Sequence, residues 1–326
     1  MNMKRRHAFG FALAPLAAPW SAFAQAPVRR IAYFGLASAQ SDAAFLAAFR
    51  AGMGELRWVE GRDFVIDARF ANGAPQAGAG LADELITSAP DLVLTPAEGS
   101  ASLLMQRTKT IPIVLAFASD PVGGGFAASL RQPGGNVTGL TSMATELWPK
   151  RMQLLKEAFP AVAHVGMMFG PAMVNSVAQA KGIEAAAVGL GLRVTALELR
   201  QAADIEPALK RAASQGAQAC LVTFDAISHG QRQVIAEHLV RLKLPAMFAN
   251  GQSVDAGGLM SYAASISDNF RRAAEYADKI LKGAKPGELP IEQPTRFELA
   301  LNLKTAKAIG AVIPPAIRLR VDRVVE

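Results

Sequence analysis

From Arg30 onward the chain alternates between two kinds of segment, and that alternation limits the folds open to it. Short runs rich in Val, Ile, Leu and Phe, namely "RIAYFGL", "DFVIDARF", "DLVLTP" and "IPIVLAFA", read as strands. Longer segments with apolar residues at three- and four-residue steps separate them. In "SDAAFLAAFRAGMGELRW", Phe45, Leu46, Phe49, Met53 and Leu56 share one helical face, and Asp42 behind Ser41 belongs to the N-cap region. Strands joined by helices form parallel sheets covered on both faces, because a parallel crossover needs a helix. The rhythm then repeats through "AHVGMMFG", "RVTALEL", "ACLVTF" and "LPAMFAN". A length of 326 residues is generous for one core and comfortable for two. Two α/β series of similar make-up therefore predict two similar lobes. "NVTGLTSM" is the natural first crossing between them, and the segment near Gly257-Gly258 the second.

The N-terminus breaks the pattern. "MNMKRRH" is a basic stretch, "AFGFALAPLAAPW" a short apolar one, and "SAFAQA" ends in an A-x-A site. Residues 1–24 are read as a signal peptide cleaved after Ala24, which predicts export. Cleavage removes Lys4, Arg5 and Arg6, leaving 31 of the 34 Lys and Arg against 27 Asp and Glu, a net charge of +4 in place of +7. The remaining cations are scattered, with no basic stripe interleaved with aromatics, so no nucleic-acid partner is expected. Cys220 is the only cysteine. It allows no intramolecular disulfide, it sits in an apolar strand as a core thiol, and no cysteine follows the apolar stretch to carry a lipid anchor. An exported, unanchored chain without disulfides fits a Gram-negative periplasm.

Enzyme motifs find little support. Gly123, Gly125 and Ala128 spell G-x-G-x-x-A, but they follow the fourth strand, whereas a dinucleotide fingerprint belongs to the first strand–turn–helix. Asp120 as a cap, Pro121 at a first helical position and the "QPGGN" turn account for these residues as a short helix start and its end. His164, His229 and His238 show no metal-ligand spacing; His229 and His238 read as loop and helix-surface residues. No G-x-S-x-G elbow or paired acid–base carboxylates occur. No cofactor and no metal are expected.

Taken in order, "SDPVGGGFAASLRQPGGNVTGLTSM", "GGLMSYAASISDNFRRAAEYADKILKG" and "QPTRFELALNLKTAKAIG" resemble the ABC-transporter substrate-binding protein family that includes tryptophan-binding members. The resemblance covers essentially the whole chain after the signal peptide. It implies two Rossmann-like α/β lobes with parallel sheets joined by a multi-strand hinge, as in type I periplasmic binding proteins. It also implies a monomer that captures a small-molecule solute between its lobes and delivers it to an ABC permease at the inner membrane. On this frame residues 25–138 form the first lobe, completed by about 259–289, and 139–258 form the second. The tail from 290 to 326 is assignable to neither. A sensing module for a membrane receptor and a nucleotide-dependent enzyme are the alternative functions.

In open α/β sheets, ligands sit beyond the carboxyl ends of strands. That rule selects Ser38 and Ser41 after the first strand, Thr95 and Glu98 after the third, and Ser119 and Asp120 after the fourth. In the second series it selects Gly170 to Asn175, then Phe224 and Asp225, then Asn250, with Tyr262 near the second crossing. For an amino-acid zwitterion, hydroxyls and helix N-terminal N–H groups would hold the carboxylate. Asp225 or Glu98 would pair with the ammonium, and Phe224, Phe248 or Phe169 would cover an apolar side chain.

Overall fold

A computed structural model of the chain describes residues 27–170 and 176–326. The expected signal peptide and Asn175 lie outside the described residues. Five strands, β1 (Arg29–Gly35), β2 (Phe64–Phe70), β3 (Leu92–Thr95), β4 (Ile113–Ala118) and β5 (Val137–Thr141), form a first sheet in the order β2-β1-β3-β4-β5. All its pairings are parallel. Helices α1 (Ala39–Glu55), α2 (Pro75–Thr87) and α3 (Glu98–Met105) make the first three crossovers. The Ser38 hydroxyl caps α1 by accepting from the Ser41 N–H at 3.1 Å. Phe45, Phe49 and Met53 then recur every four residues as the buried stripe that the spacing predicts. No helix forms after β4. Pro121 to Gly125 fold as hydrogen-bonded turns, because three consecutive glycines carry little helix propensity and Gly125 takes φ +73°.

The second sheet has seven strands: β6 (His164–Phe169), β7 (Arg193–Glu198), β8 (Ala219–Val222), β9 (Ala246–Phe248), β10 (Met260–Ala263), β11 (Glu298–Asn302) and β12 (Arg323–Val325). Its order is β12-β11-β10-β9-β8-β6-β7, with β10 and β11 antiparallel and the remaining pairs parallel. Helices α4 (Trp148–Ala158), α5 (Ser176–Gly189), α6 (Ile205–Ser214), α7 (Ala226–Gly230), α8 (Arg232–Arg241) and α9 (Gly251–Asp255) intervene. Cys220 lies buried in β8, where burial pushes its thiol up to about 12, consistent with an inert core residue.

The lobe boundaries differ from the sequence-based ones at three places. Residues 139–141 remain in the first sheet as the end of β5. Residues 260–263, expected to complete the first lobe, pair instead with β9 in the second. The chain crosses back only after them, and α10 (Ile266–Leu281) packs against α1 of the first lobe through Phe270, Ala273, Ala274 and Ala277. The tail is split between the lobes. Glu292 bridges to Leu140, and its backbone N–H donates to the Gly139 carbonyl at 3.1 Å. β11, β12 and the helices α11 (Leu303–Ile309) and α12 (Pro315–Arg318) then finish the second lobe. The lobes are thus joined three times, after β5, after β10 and before β11. Among the described residues no helix is long and apolar enough to cross a membrane.

Candidate functional site

Both sheets reverse their strand order once at an interior position, the first between β1 and β3 and the second between β6 and β8. At such a switch point the flanking loops turn away from each other and leave a crevice beyond the strand ends. The two crevices face each other here. Leu36 and Ala37 after β1, Pro96 and Glu98 after β3, Gly170 after β6 and Phe224 after β8 enclose a cavity of about 430 Å³. Aromatic rings carry the contact across it. Phe117 of β4 meets Phe224 edge-on at 5.1 Å, and Phe45 of α1 stacks on His229 of α7 at 5.0 Å. Phe224 and His229 are themselves 5.2 Å apart.

Of the residues selected from the sequence, Glu98, Ser119, Gly170, Phe224 and Asp225 line this cavity. Glu98 opens α3 and is 3% exposed; its Oε1 accepts from the N–H groups of Ser119 and Asp120, both at 2.8 Å. Burial outweighs those bonds and pushes its carboxyl up to about 7. The folded state therefore holds an extra proton between about 4.5, the ordinary value, and about 7. The stability this group contributes is complete below the lower value and is lost as pH rises through the upper one, about 3 kcal/mol in all. Glu98→Gln, which keeps the accepting oxygen, is expected to gain about 2–3 kcal/mol at pH 8 and almost nothing at pH 4.5. Urea unfolding at the two pH values measures this; equal gains at both would contradict it.

Asp225 does not have the freedom that pairing with an ammonium requires. As the cap of α7, its Oδ1 accepts from the N–H groups of Ile227 and Ser228, each at 3.0 Å. Its Oδ2 accepts from the Gly170 N–H at 3.2 Å, the Thr223 hydroxyl at 3.1 Å and the Ser228 hydroxyl at 2.8 Å. The Thr223 hydroxyl shares its one hydrogen with the Met168 carbonyl, also at 3.1 Å, and the other four donors already match the roughly four lone-pair sites of a carboxylate. Asp225 shapes the wall by fixing α7 and tying it to the end of β6.

The other selected residues stand outside the cavity lining. Ser38 and Ser41 bond to each other at 2.9 Å in the α1 cap. Thr95 is fully buried, its hydroxyl donating to the Phe34 carbonyl at 2.9 Å and meeting the Ser100 hydroxyl. Asp120 accepts from the Gly123 N–H at 2.8 Å. Asn250 caps α9, accepting from the Ser253 N–H at 3.0 Å. Tyr262 packs beside Phe297 at 5.9 Å. Phe248 is core, and Phe169 packs against the core of the second lobe. Cap residues and ligand-binding residues share one chemistry, so the strand-end rule gathers both, and only the count of filled hydrogen bonds separates them.

Two residues that sequence reasoning placed elsewhere occupy the centre of the cleft. His229, expected at a loop surface, is 3% exposed, because the Asp225 cap turns α7 inward between Phe45 and Phe224. Asp42, expected as part of a cap, is 1% exposed and accepts the Tyr33 hydroxyl on Oδ2 at 2.8 Å. Gly35 makes room for it, since a β-carbon there would sit 2.4 Å from Oδ2. Burial, with the Asp42 charge second, raises Tyr33 well above the usual phenol range. The signal for Asp42 was its position three residues before Phe45, on the apolar stripe of α1. Among the described residues no cluster of His, Cys, Asp and Glu suited to a metal ion occurs.

Residues 36–325 match the model of the ABC transporter substrate binding protein family, and the chain belongs to that family. A "Tyrosine-binding protein" of Clostridioides difficile strain R20291 is 23% identical over 250 residues, which are 77% of this chain and 72% of the relative. A conserved domain protein from Vibrio cholerae aligns with TM-score 0.85 at 25% identity, over 91% of this chain and all of its own. The ABC domain from Streptococcus pneumoniae, solved in complex with L-Trp, aligns with TM-score 0.83 at 23% identity, over 92% of this chain and all of its own. The fold is that of two-lobed type I binding proteins.

Proposed function

We propose that this family member is the exported solute-binding subunit of an ABC importer, taking an amino acid or a related organic solute with an apolar body. The observation that carries the reading is the cavity between the two switch points, walled by Phe45, Phe117 and Phe224 from opposite lobes. A solute there is covered from both sides, and three hinge strands let the lobes part to release it. The names of the Clostridioides and Streptococcus relatives, one tyrosine-binding and one holding L-Trp, support an amino acid as the solute class. The N-terminal segment read as a signal peptide supports a periplasmic site of action, and delivery to a membrane permease is the partnership the family implies.

The test is a thermal-shift and calorimetric screen of residues 25–326 against L-amino acids and small organic acids. A solute present at 100 times its Kd raises the unfolding free energy by about 2.7 kcal/mol. At least one apolar or aromatic L-amino acid is expected to raise Tm and to bind at micromolar Kd or tighter. No shift with any of them at millimolar concentration refutes the solute class. Loss of uptake of the same solute on deletion of the gene tests the permease partnership.

A further inference from the structure

We propose that Asp42 and His229 form an ionic latch between the lobes, a contact that holds the cleft shut whatever the cleft contains. Asp42 belongs to α1 of the first lobe and His229 to α7 of the second, and Asp42 Oδ1 stands 3.3 Å from His229 Nε2. The two side chains are 1% and 3% exposed. Asp42 Oδ1, His229 Nδ1 and His229 Nε2 have essentially no accessible surface, and none of them closes a hydrogen bond among the described residues. At ion-pair distance and shielded from the cavity, the charged atoms face each other and not a solute.

A carboxylate buried this deeply needs a cation or several donors. Its own lobe supplies one donor, the Tyr33 hydroxyl on Oδ2 at 2.8 Å. The other oxygen is matched only across the lobe boundary, by an imidazole that is a cation when protonated. Apolar contacts bring that ring into place. It stacks on Phe45 at 5.0 Å with 16° between the planes, and lies 5.2 Å from Phe224. Asp42 and Phe45 are one turn apart on α1, so a single helix face presents both the charge and the stacking surface. On the other side, the Asp225 cap and the bond from Arg232 Nη1 to the His229 carbonyl at 2.8 Å fix α7 in the second lobe. Parting the lobes separates the pair and wets Phe45 in one movement. Closure therefore carries a contribution set by the protein itself and common to all solutes. Its effect on solute release rests on the solute-binding reading above; the contact between the lobes does not.

Double electron–electron resonance with no solute added tests this, using spin labels on Gln76→Cys and Ala203→Cys. Both positions are exposed and follow β2 and β7, the sheet edges farthest from the crossings, where opening moves the lobes most. Cys220 is buried and takes no label. The labelled protein with its latch intact is expected to show mainly the short distance. His229→Phe keeps a ring for Phe45 but strands the Asp42 carboxylate, and is expected to lower the closed-to-open ratio about 30-fold or more. Asp42→Asn, which keeps the acceptor for Tyr33, is expected to lower it about tenfold, and carries the test alone if His229→Phe does not fold. Adding Asp42→Asn to His229→Phe removes the stranded charge and is expected to recover most of the loss, a coupling that steric damage does not produce. Long distances in the protein with both residues intact, or unchanged distances in both single variants, overturn the latch. So does a double variant as open as His229→Phe alone. For each solute that binds, a single variant is expected to speed dissociation by one common factor; a factor that follows the solute's charged groups would make the residues ligand contacts and overturn the latch. If no solute binds, the proposed function falls while the distances still decide the latch; if one binds and the distances do not change, only the latch falls.

Discussion

Arg151→Ala is expected to lower the unfolding free energy by about 4–5 kcal/mol. The residue lies on α4, is fully buried, and directs its guanidinium at three carbonyls. Nε donates to Tyr262 at 2.8 Å, Nη1 to Ala144 at 2.9 Å and Nη2 to Ala249 at 3.3 Å. Ala144 lies in the first crossing, Tyr262 in the last strand before the second, and Ala249 at the end of β9. One side chain therefore pins the first crossing to the strand ends of β9 and β10 inside the second sheet, and its face rests on Trp148 at 4.6 Å. Burial lowers its pKa to about 9, so it stays charged at neutral pH. Alanine leaves the carbonyls without that donor and removes the packed stem as well. Urea unfolding gives the magnitude. Arg151→Lys is expected to recover only a small part, since one ammonium cannot serve three acceptors in a fixed plane. A loss below about 1 kcal/mol for the alanine variant would show that water replaces the guanidinium at little cost.

Gly139→Ala is expected to cost about 3–5 kcal/mol, from two causes that add. Gly139 sits in β5 at φ +138°, where an L side chain is strained wherever it points. A β-carbon there would also stand 2.1 Å from the Leu115 carbonyl oxygen of β4, a backbone atom with nowhere to move. The β4–β5 register shifts just beyond this point, between Leu115 and Ala118, and Gly139 also accepts from the Glu292 N–H of the third crossing. The strain is thus concentrated where the first sheet hands the chain to its hinge. Gly135→Ala is the control: it has a negative or extended φ and open space around it, and is expected to change stability by no more than about 0.5 kcal/mol. Similar losses for the two variants would mean that conformational entropy, and not the contact with Leu115, governs both.

Much of the architecture was legible in the primary structure because it rests on local periodicity. The apolar runs at Ile31–Phe34 and Ile113–Ala118 are buried along their length, as strands covered on both faces must be. The helical face of α1 buries Phe45, Phe49 and Met53, the residues its spacing picks out. The strand-end rule also reached five residues of the cavity, because β3, β4, β6 and β8 end where their apolar runs end.

Pairing and depth were decided only by the tertiary structure. Periodicity reports that Met260–Ala263 is a strand; it carries no information about which sheet offers the free edge, and β9 supplies it in register. The tail divides between lobes because Glu292 meets Leu140 across about 150 positions, a contact no local pattern encodes. Asp225 and Asp42 illustrate the same division at the site. Both are acidic residues near a helix N-terminus, alike in sequence chemistry. Local donors fill one of them, whereas an oxygen of the other is buried 3.3 Å from His229 of the opposite lobe, and that difference arises only when the two lobes are brought face to face.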